Sequence, residues 1–232
     1  MRVFPGLLSV AVALATGLCI LAVVISPFLT PAWVAFEQDR ADAAGWTGFN
    51  AEELRTATNA ILSDLVLGPP NFEVTVRGTP VLTNGERDHM RDVRGIFTAF
   101  YLAATGALVI LLVGRSGTRG TGAWSKARFL GSVRAGSVGL AIVIVAAGVV
   151  AAVAFDAAFE VFHRLFFAAG TYNFDPLTYR LVQLFPDTFW SETTMAVGGL
   201  TLILSLVVAL VATRRLRADA ANRSAGPEEA TR

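Results

Sequence analysis

The sequence predicts an all-α membrane protein with four transmembrane helices. Hydrophobic residues make up 54% of the 232-residue chain, charged residues make up only 16%, and the mean hydropathy is +0.57. A soluble fold could not cover this much apolar surface with charge. The apolar residues also cluster in four uncharged stretches, each long enough to cross a bilayer core of about 30 Å. These observations exclude a cytosolic enzyme, a secreted domain and a nucleic-acid-binding protein.

The loops between the predicted spans differ in charge. The spans cover residues 7–28, 96–113, 135–155 and 193–213. Residues 114–134, between the second and third spans, contain Arg and Lys but no acidic residue, and further arginines follow the fourth span. Because positive loops stay in the cytoplasm, we expect both termini inside and residues 29–95 and 156–192 outside.

A single membrane domain is expected over residues 1–213. The remaining residues, 214–232, are rich in polar side chains together with Gly and Pro. Such a composition is typical of disordered chain, so we predict a disordered cytoplasmic tail.

The first outer segment contains a predicted amphipathic helix over residues 51–67. Asn50 and Glu53 have the spacing of an N-cap residue and its reciprocal glutamate. Apolar residues then recur at helical spacing, at Leu54, Ala57, Ile61 and Leu65. This helix is expected to lie on the membrane surface or to cover the bundle. The alternating residues that follow, from Phe72 to Thr83, predict a short hairpin.

The second outer segment is unusually aromatic. Ten of the 23 aromatic residues of the chain lie between Phe159 and Trp190, and Gly170, Pro176 and Pro186 interrupt the segment. Aromatic rings favour the headgroup level of a bilayer. We therefore expect a lid or platform in the outer interface.

The chain has only two histidines, His89 and His163. His89 precedes the second predicted span by a few residues, and His163 follows the third by about two turns. The charge argument places both at the same depth, at the outer interface. Two imidazoles converging in a charge-poor protein make them the leading candidates for catalysis.

Each histidine follows a glutamate at the E-x-x-H spacing, Glu86 before His89 and Glu160 before His163. This spacing places both side chains on one helix face and occurs in di-iron carboxylate sites. Those sites lie in a bundle core and take further glutamates from the other helices, whereas the first and fourth spans contain no carboxylate. A di-iron site and a mononuclear zinc site are therefore minor alternatives, and we predict no metal and no cofactor.

Several charged residues lie near the histidines in sequence, namely Arg91, Asp92, Arg94, Asp156 and Arg164. They either cap helix ends and pair with one another or with lipid phosphates, or they act in a site. In a site, one carboxylate would orient an imidazole and one arginine would stabilise developing negative charge. The sequence contains no G-x-S-x-G motif and no phosphate-binding glycine loop.

Two blocks resemble a known family. Residues 86–93 read Glu-Arg-Asp-His-Met-Arg-Asp-Val, and residues 162–167 read Phe-His-Arg-Leu-Phe-Phe. The second block continues with Phe-Asp-Pro at 174–176 and Leu-Phe-Pro-Asp-Thr-Phe-Trp at 184–190. Together these blocks resemble the bacterial four-span membrane proteins of the lipoprotein intramolecular transacylase family. The first outer segment and the cytoplasmic linker have no counterpart that we can match.

The resemblance implies an acyltransferase of the bacterial plasma membrane. It would move the sn-2 acyl chain of a diacylglyceryl-modified cysteine onto the α-amino group of that cysteine. The implied partners are membrane lipids and diacylglyceryl-modified lipoproteins. By analogy His89 and His163 are catalytic, one as a base and one as an oxyanion donor, with the assignment open. Arg91, Arg94 and Arg164 are weaker candidates for substrate binding.

A second class of function is also open. A non-enzymatic membrane protein would use the outer platform to bind a lipid or a partner, with the histidines as a pH-sensitive clasp. Turnover of a labelled lipoprotein cysteine distinguishes the two.

Overall fold

The computed structural model describes residues 3–118, 124–168 and 170–224, which are mainly helical. Four helices are long and apolar enough to cross a membrane: Gly6–Leu29, Asn84–Gly117, Lys126–Val153 and Asp187–Arg223. This confirms the predicted four-helix membrane fold. The second and fourth of these helices begin well before the apolar stretches that predicted them.

The helices in chain order are α1 (Val3–Ile25), α2 (Pro31–Arg40), α3 (Ala43–Thr47), α4 (Ala51–Val66), α5 (Asn84–Gly117), α6 (Lys126–Val153), α7 (Phe155–Phe166), α8 (Arg180–Leu184) and α9 (Asp187–Ser224). A 3-10 turn at Ser26–Leu29 follows α1. Two strands, β1 (Thr75–Val76) and β2 (Thr79–Pro80), lie between α4 and α5.

The chain forms two compact units. One comprises the chain up to Val23, Tyr101–Ala147 and the chain from Gly199 onward, and the other comprises Val24–Phe100 and Gly148–Gly198. The second unit contains both histidines.

In the first unit, α1 and α6 approach closely where α6 has a glycine. A Cβ added at Gly136 would collide with the carbonyl oxygen of Ala13. Small residues allow such close backbone approach between membrane helices. The buried hydroxyls of Thr16 and Ser137 donate to carbonyl oxygens four residues earlier in their own helices, at 2.8 and 2.9 Å. These bonds satisfy polar groups that have no water to bind in a bilayer.

The predicted disorder of residues 214–232 is wrong for residues 214–224, because α9 continues to Ser224. This part of the tail consists largely of Arg, Leu and Ala, which favour helix. Asp219, in this part of the tail, also forms an ion pair with Lys126, whose Nζ lies 2.8 Å from Asp219 Oδ1. Residues 225–232 lie outside the described part of the chain.

Helix α4 forms as predicted, and its first turn shows why. Asn50 Oδ1 accepts hydrogen bonds from the backbone N–H groups of Glu52 and Glu53, both at 3.0 Å. Glu53 Oε2 in turn accepts from the N–H of Asn50 at 2.9 Å, which completes a capping box. The predicted apolar face is buried in the core of the second unit, where Phe72, Leu82, Leu184 and Phe189 are also buried.

The predicted hairpin is present but short. β1 and β2 pair antiparallel through only two residues each. The turn places Arg77 and Gly78 at φ angles of +53° and +74°, and two successive positive φ angles match the twist of a tight hairpin. Arginine rarely adopts this conformation, and here its guanidinium donates from both Nε and Nη2 to Glu53, each at 2.6 Å.

The aromatic segment consists of α7, α8 and the chain between them. Several apolar side chains of this segment are exposed: Val161, Phe162, Leu165, Phe166 and Leu177. Helix α8 is fixed by buried polar contacts, because Gln38 Nε2 donates to the carbonyl oxygen of Leu184 at 2.9 Å. The described residues of this segment thus present an apolar surface, and a lid or platform in the outer interface stays a prediction.

Candidate active site

The structure brings the two histidines together. His89 lies near the start of α5 and His163 near the end of α7, and their ring centroids are 6.1 Å apart with an interplanar angle of 23°. His89 is 7% exposed and His163 is 8% exposed. The predicted convergence of the two imidazoles is confirmed.

A backbone hydrogen bond determines the tautomer of His163. Its Nδ1 lies 2.8 Å from the carbonyl oxygen of Phe159, one turn earlier in α7. Because a carbonyl oxygen only accepts, Nδ1 carries the proton of this bond. In the neutral ring Nε2 then has a free lone pair, which is the state a general base needs.

His89 is held by packing. Its ring centroid lies 4.7 Å from that of Phe167 and 5.6 Å from that of Phe174. Its Nδ1 is buried and has no hydrogen-bond partner among the described residues. A buried polar atom without a partner is unusual and marks a group that a bound molecule can engage.

Aromatic rings surround His163. The centroids of Phe159, Tyr172 and Phe162 lie 4.1, 5.0 and 5.4 Å from that of His163. Such surroundings disfavour a buried charge, and two protonated imidazoles at this separation would repel each other.

A cavity of about 410 Å³ lies beside the histidines. Phe159, Tyr172 and Phe174, which pack on the histidine rings, line one part of it. The remaining lining residues are Glu160, Asn173, Asp175, Val182, Phe185, Asp187 and Trp190. Within the described part of the chain no basic side chain lines the cavity. Aromatic faces together with carboxylates favour a cationic group.

The two E-x-x-H glutamates accept hydrogen bonds from backbone N–H groups and from an arginine. Glu86 is fully buried and accepts from the N–H groups of Thr83 and Leu181, both at 2.7 Å. Glu160 accepts from Arg164 Nε at 2.7 Å. Among the described residues, no group of three His, Cys, Asp or Glu side chains is placed to hold a metal ion.

These observations accompany a match to a family model. The model for the lipoprotein intramolecular transacylase Lit matches residues 8–190, which is more than half of the chain and includes both histidines.

The chain belongs to the lipoprotein intramolecular transacylase family.

Solved structures of Lit have the same fold. The membrane-integral Lit from Bacillus cereus matches with a TM-score of 0.76 at 18% identity, covering 94% of this chain and 98% of that chain. A B. cereus Lit variant with a histidine-to-arginine mutation matches with a TM-score of 0.75 at 18% identity, covering 95% of each chain. Among curated protein sequences, none matches this chain. The chain is an integral membrane protein of the Lit family, as the sequence blocks predicted.

The arginines predicted to bind substrate have structural partners in this Lit family member. Arg94 donates to the carbonyl oxygens of Asp64 and Gly68, at the end of α4. Arg91 donates to the carbonyl oxygen of Pro70 at 3.0 Å and to the carboxylate of Asp88. The last carbonyl groups of a helix need hydrogen-bond donors. The predicted end of α4 was therefore the feature of the sequence that could have indicated this capping role for an arginine. Substrate binding by these side chains stays a prediction.

Sequence reasoning missed the aromatic residues that enclose the histidines. Tyr172 and Phe174 lie between α7 and α8, where spacing alone does not determine which ring packs on His163 and which on His89. It also missed the role of Glu86, because the E-x-x-H spacing gives no sign of a partner 95 residues away in sequence.

Proposed function

We propose that this protein transfers the sn-2 acyl chain of a diacylglyceryl-modified lipoprotein cysteine to the α-amino group of the same cysteine. The observation that carries the proposal is the pair of buried imidazoles 6.1 Å apart, one of them with its Nδ1 hydrogen-bonded to a backbone carbonyl oxygen. The Lit family of the chain supports the reaction class. The proposed site is in a bacterial plasma membrane, with both termini in the cytoplasm.

His163 is suited to act as the base. An α-amine has a reference pKa near 8 and an imidazole near 6.5, so Nε2 can accept the proton that the amine loses as it attacks. The amine nitrogen forms a bond to the ester carbonyl carbon, and the carbonyl oxygen becomes an oxyanion. His89 would stabilise that oxyanion through a ring N–H.

Collapse of the tetrahedral intermediate breaks the bond between the acyl carbon and the glycerol oxygen. The imidazolium of His163 returns its proton to that oxygen, so the protein ends the cycle unchanged. An amide and a glycerol hydroxyl replace an amine and an ester. No acyl-enzyme is required, and much of the catalysis is the positioning of two groups of one molecule.

The cavity supports this substrate. Its aromatic and carboxylate lining suits the α-ammonium group, which releases one proton to solvent to become the attacking amine. Its position beside His163 brings that amine to the proposed base. The exposed apolar residues of α7 would face the acyl chains in the outer leaflet. Of the three predicted substrate-binding arginines, Arg164 is the most accessible, because its side chain is 71% exposed.

The test uses purified protein and a synthetic diacylglyceryl-cysteine lipopeptide. Substrate and product are isomers, so tandem mass spectrometry must locate the acyl chain on nitrogen or on glycerol. Two lipopeptides that differ in both peptide mass and isotope-labelled acyl chain are mixed, and the proposal expects N-acylated products without exchange of label. A protein that only binds would retain lipopeptide without forming product, and this outcome would overturn the proposal.

A further inference from the structure

Glu86 is a buried carboxylate that connects two distant parts of the second unit. Its Oε2 accepts from the N–H of Thr83, just before α5, and its Oε1 accepts from the N–H of Leu181 in α8. The side chain is 0% exposed. Each oxygen thus has its own backbone donor, both at 2.7 Å, and loss of either contact would leave a buried polar group without a partner.

Helix α8 is in turn connected to the residues that enclose the histidines. Gln183 Nε2 donates to the carbonyl oxygen of Pro176 at 2.8 Å. Two and four residues before Pro176, Phe174 packs on His89 with centroids 5.6 Å apart, and Tyr172 packs on His163 at 5.0 Å. We call residues 172–184 the α8 segment. Through Tyr172 and Phe174 it forms one wall of the space that holds both imidazoles.

We propose that Glu86 is a positioning residue, which anchors the α8 segment to α5 and thereby holds His89 and His163 in their reactive arrangement. The inference rests on the proposed transacylase function. Glu86 lies three residues before His89 in α5, so its bond to Leu181 fixes the wall relative to the helix that carries this histidine. In this role Glu86 does not contact either histidine directly. It acts on their arrangement through the α8 segment.

Thr83→Ala is the matched control for Glu86→Gln. Thr83 Oγ1 accepts from the N–H of Glu86 at 3.4 Å, so its removal weakens the cap of α5 and leaves the Glu86–Leu181 bond in place. Glutamine has one acceptor oxygen and presents its amide N–H₂ to one of the two N–H donors. Glu86→Gln therefore breaks one of the two buried hydrogen bonds. The side chain then shifts, which weakens the contact to Leu181.

The first measurement separates kcat from KM with the diacylglyceryl lipopeptide. A displacement of catalytic groups by about 1 Å can cost about a hundredfold in rate. We expect kcat of Glu86→Gln to fall at least about tenfold and its KM to rise, because Tyr172, Phe174 and Val182 of the α8 segment also line the cavity. Both constants of Thr83→Ala should stay near those of wild type. Equal losses in the two variants would assign Glu86 to helix capping alone and overturn the proposal.

The second measurement needs no turnover. Diethyl pyrocarbonate modifies accessible imidazoles, and the modified peptides containing His89 and His163 are quantified by mass spectrometry without substrate. A loosened wall raises the modification rate of His89 in Glu86→Gln by about tenfold, whereas Thr83→Ala retains the wild-type rate. If wild-type protein shows no turnover, the proposed function fails, and this rate still decides the role of Glu86.

Gln183→Ala covers the case in which Glu86→Gln does not accumulate in the membrane. This change removes the contact of α8 with Pro176 and leaves Glu86 intact. The expected signature is the same, with lower kcat and faster modification of His89. Wild-type kcat together with wild-type modification in this variant, or in Glu86→Gln, contradicts the anchoring role.

Discussion

The imidazole rings of His89 and His163 lie 6.1 Å apart and nearly parallel, with 23° between their planes. Only His163 has a hydrogen bond among the described contacts, to the carbonyl oxygen of Phe159. The two rings are therefore not equivalent. One is oriented by a backbone hydrogen bond, and the other has a buried nitrogen without a hydrogen-bond partner among the described residues.

Groups that act as a unit lose activity non-additively, so we expect His89→Ala, His163→Ala and the double variant to be similarly inactive. Each should lose at least about a hundredfold in kcat/KM, the low end for removal of an acid–base group. The measurement is conversion of the diacylglyceryl lipopeptide by the four purified proteins.

Phe162→Leu is the control for these histidine variants, because its ring also packs on His163, at 5.4 Å, but carries no proton. It should lose much less activity. A His163→Ala protein that inserts normally and converts substrate at the wild-type rate would contradict the proposed mechanism.

The parts of the fold that depend on local sequence could be predicted. Asn50 and Glu53 gave the start of α4 to the residue, because a capping box is a contact between neighbours in sequence. The charge-free stretches gave the four spans. Their ends were less accurate, because α5 starts at Asn84 and a polar helical extension carries no hydropathy signal.

The site was predicted only in part. The histidines could be found because the chain has only two and the charge of the loops predicts the same depth in the membrane for both. Their rings do lie close together. The partner of Glu86 could not, since a bond to Leu181 depends on how the chain between α7 and α8 folds back. The contacts of Arg94 could not be predicted for a similar reason, since its two carbonyl partners lie 26 and 30 residues away.

Activity should persist after treatment with a chelator. Both oxygens of Glu86 accept backbone hydrogen bonds, and an oxygen of Glu160 accepts from Arg164. These carboxylate oxygens of the two E-x-x-H motifs are therefore engaged in other contacts. We expect unchanged kcat after dialysis against a chelator, and no stoichiometric zinc or iron by elemental analysis. Bound metal that is lost together with activity, and activity regained on adding it back, would favour a metalloenzyme instead.

Reporter fusions test the predicted orientation. Basic residues in 114–134 and after the fourth span predict a cytoplasmic location for a reporter at Thr121 and for one at the C-terminus. Both positions lie outside the described residues. A reporter near Thr47 should be outside, and a cytoplasmic signal there would also reverse the side on which the histidines act.

We expect Glu37 to make the stability of the protein depend on pH. This residue of α2 is 1% exposed, and its Oε1 has no hydrogen-bond partner in the described structure. Burial and then the neighbouring Glu192 carboxylate raise the pKa of the Glu37 carboxyl, and Arg40, which pairs with Glu192 at 2.6 Å, opposes the rise. The folded protein therefore favours the protonated form of Glu37.

Because the pKa is higher in the folded than in the unfolded state, this group stabilises the fold fully below its unfolded pKa, near 4.3. The contribution is lost as the pH rises through the raised folded pKa.

Glu37→Gln resembles the protonated acid at every pH, so its melting temperature should fall less than that of wild type between pH 5 and 8. At pH 8 we therefore expect the variant to melt at a higher temperature than wild type. Glu52→Gln makes the same charge change at an exposed position and should leave the pH dependence of wild type unaltered. Melting curves of wild type and Glu37→Gln that remain parallel across this range would show that Glu37 does not retain its proton in the fold.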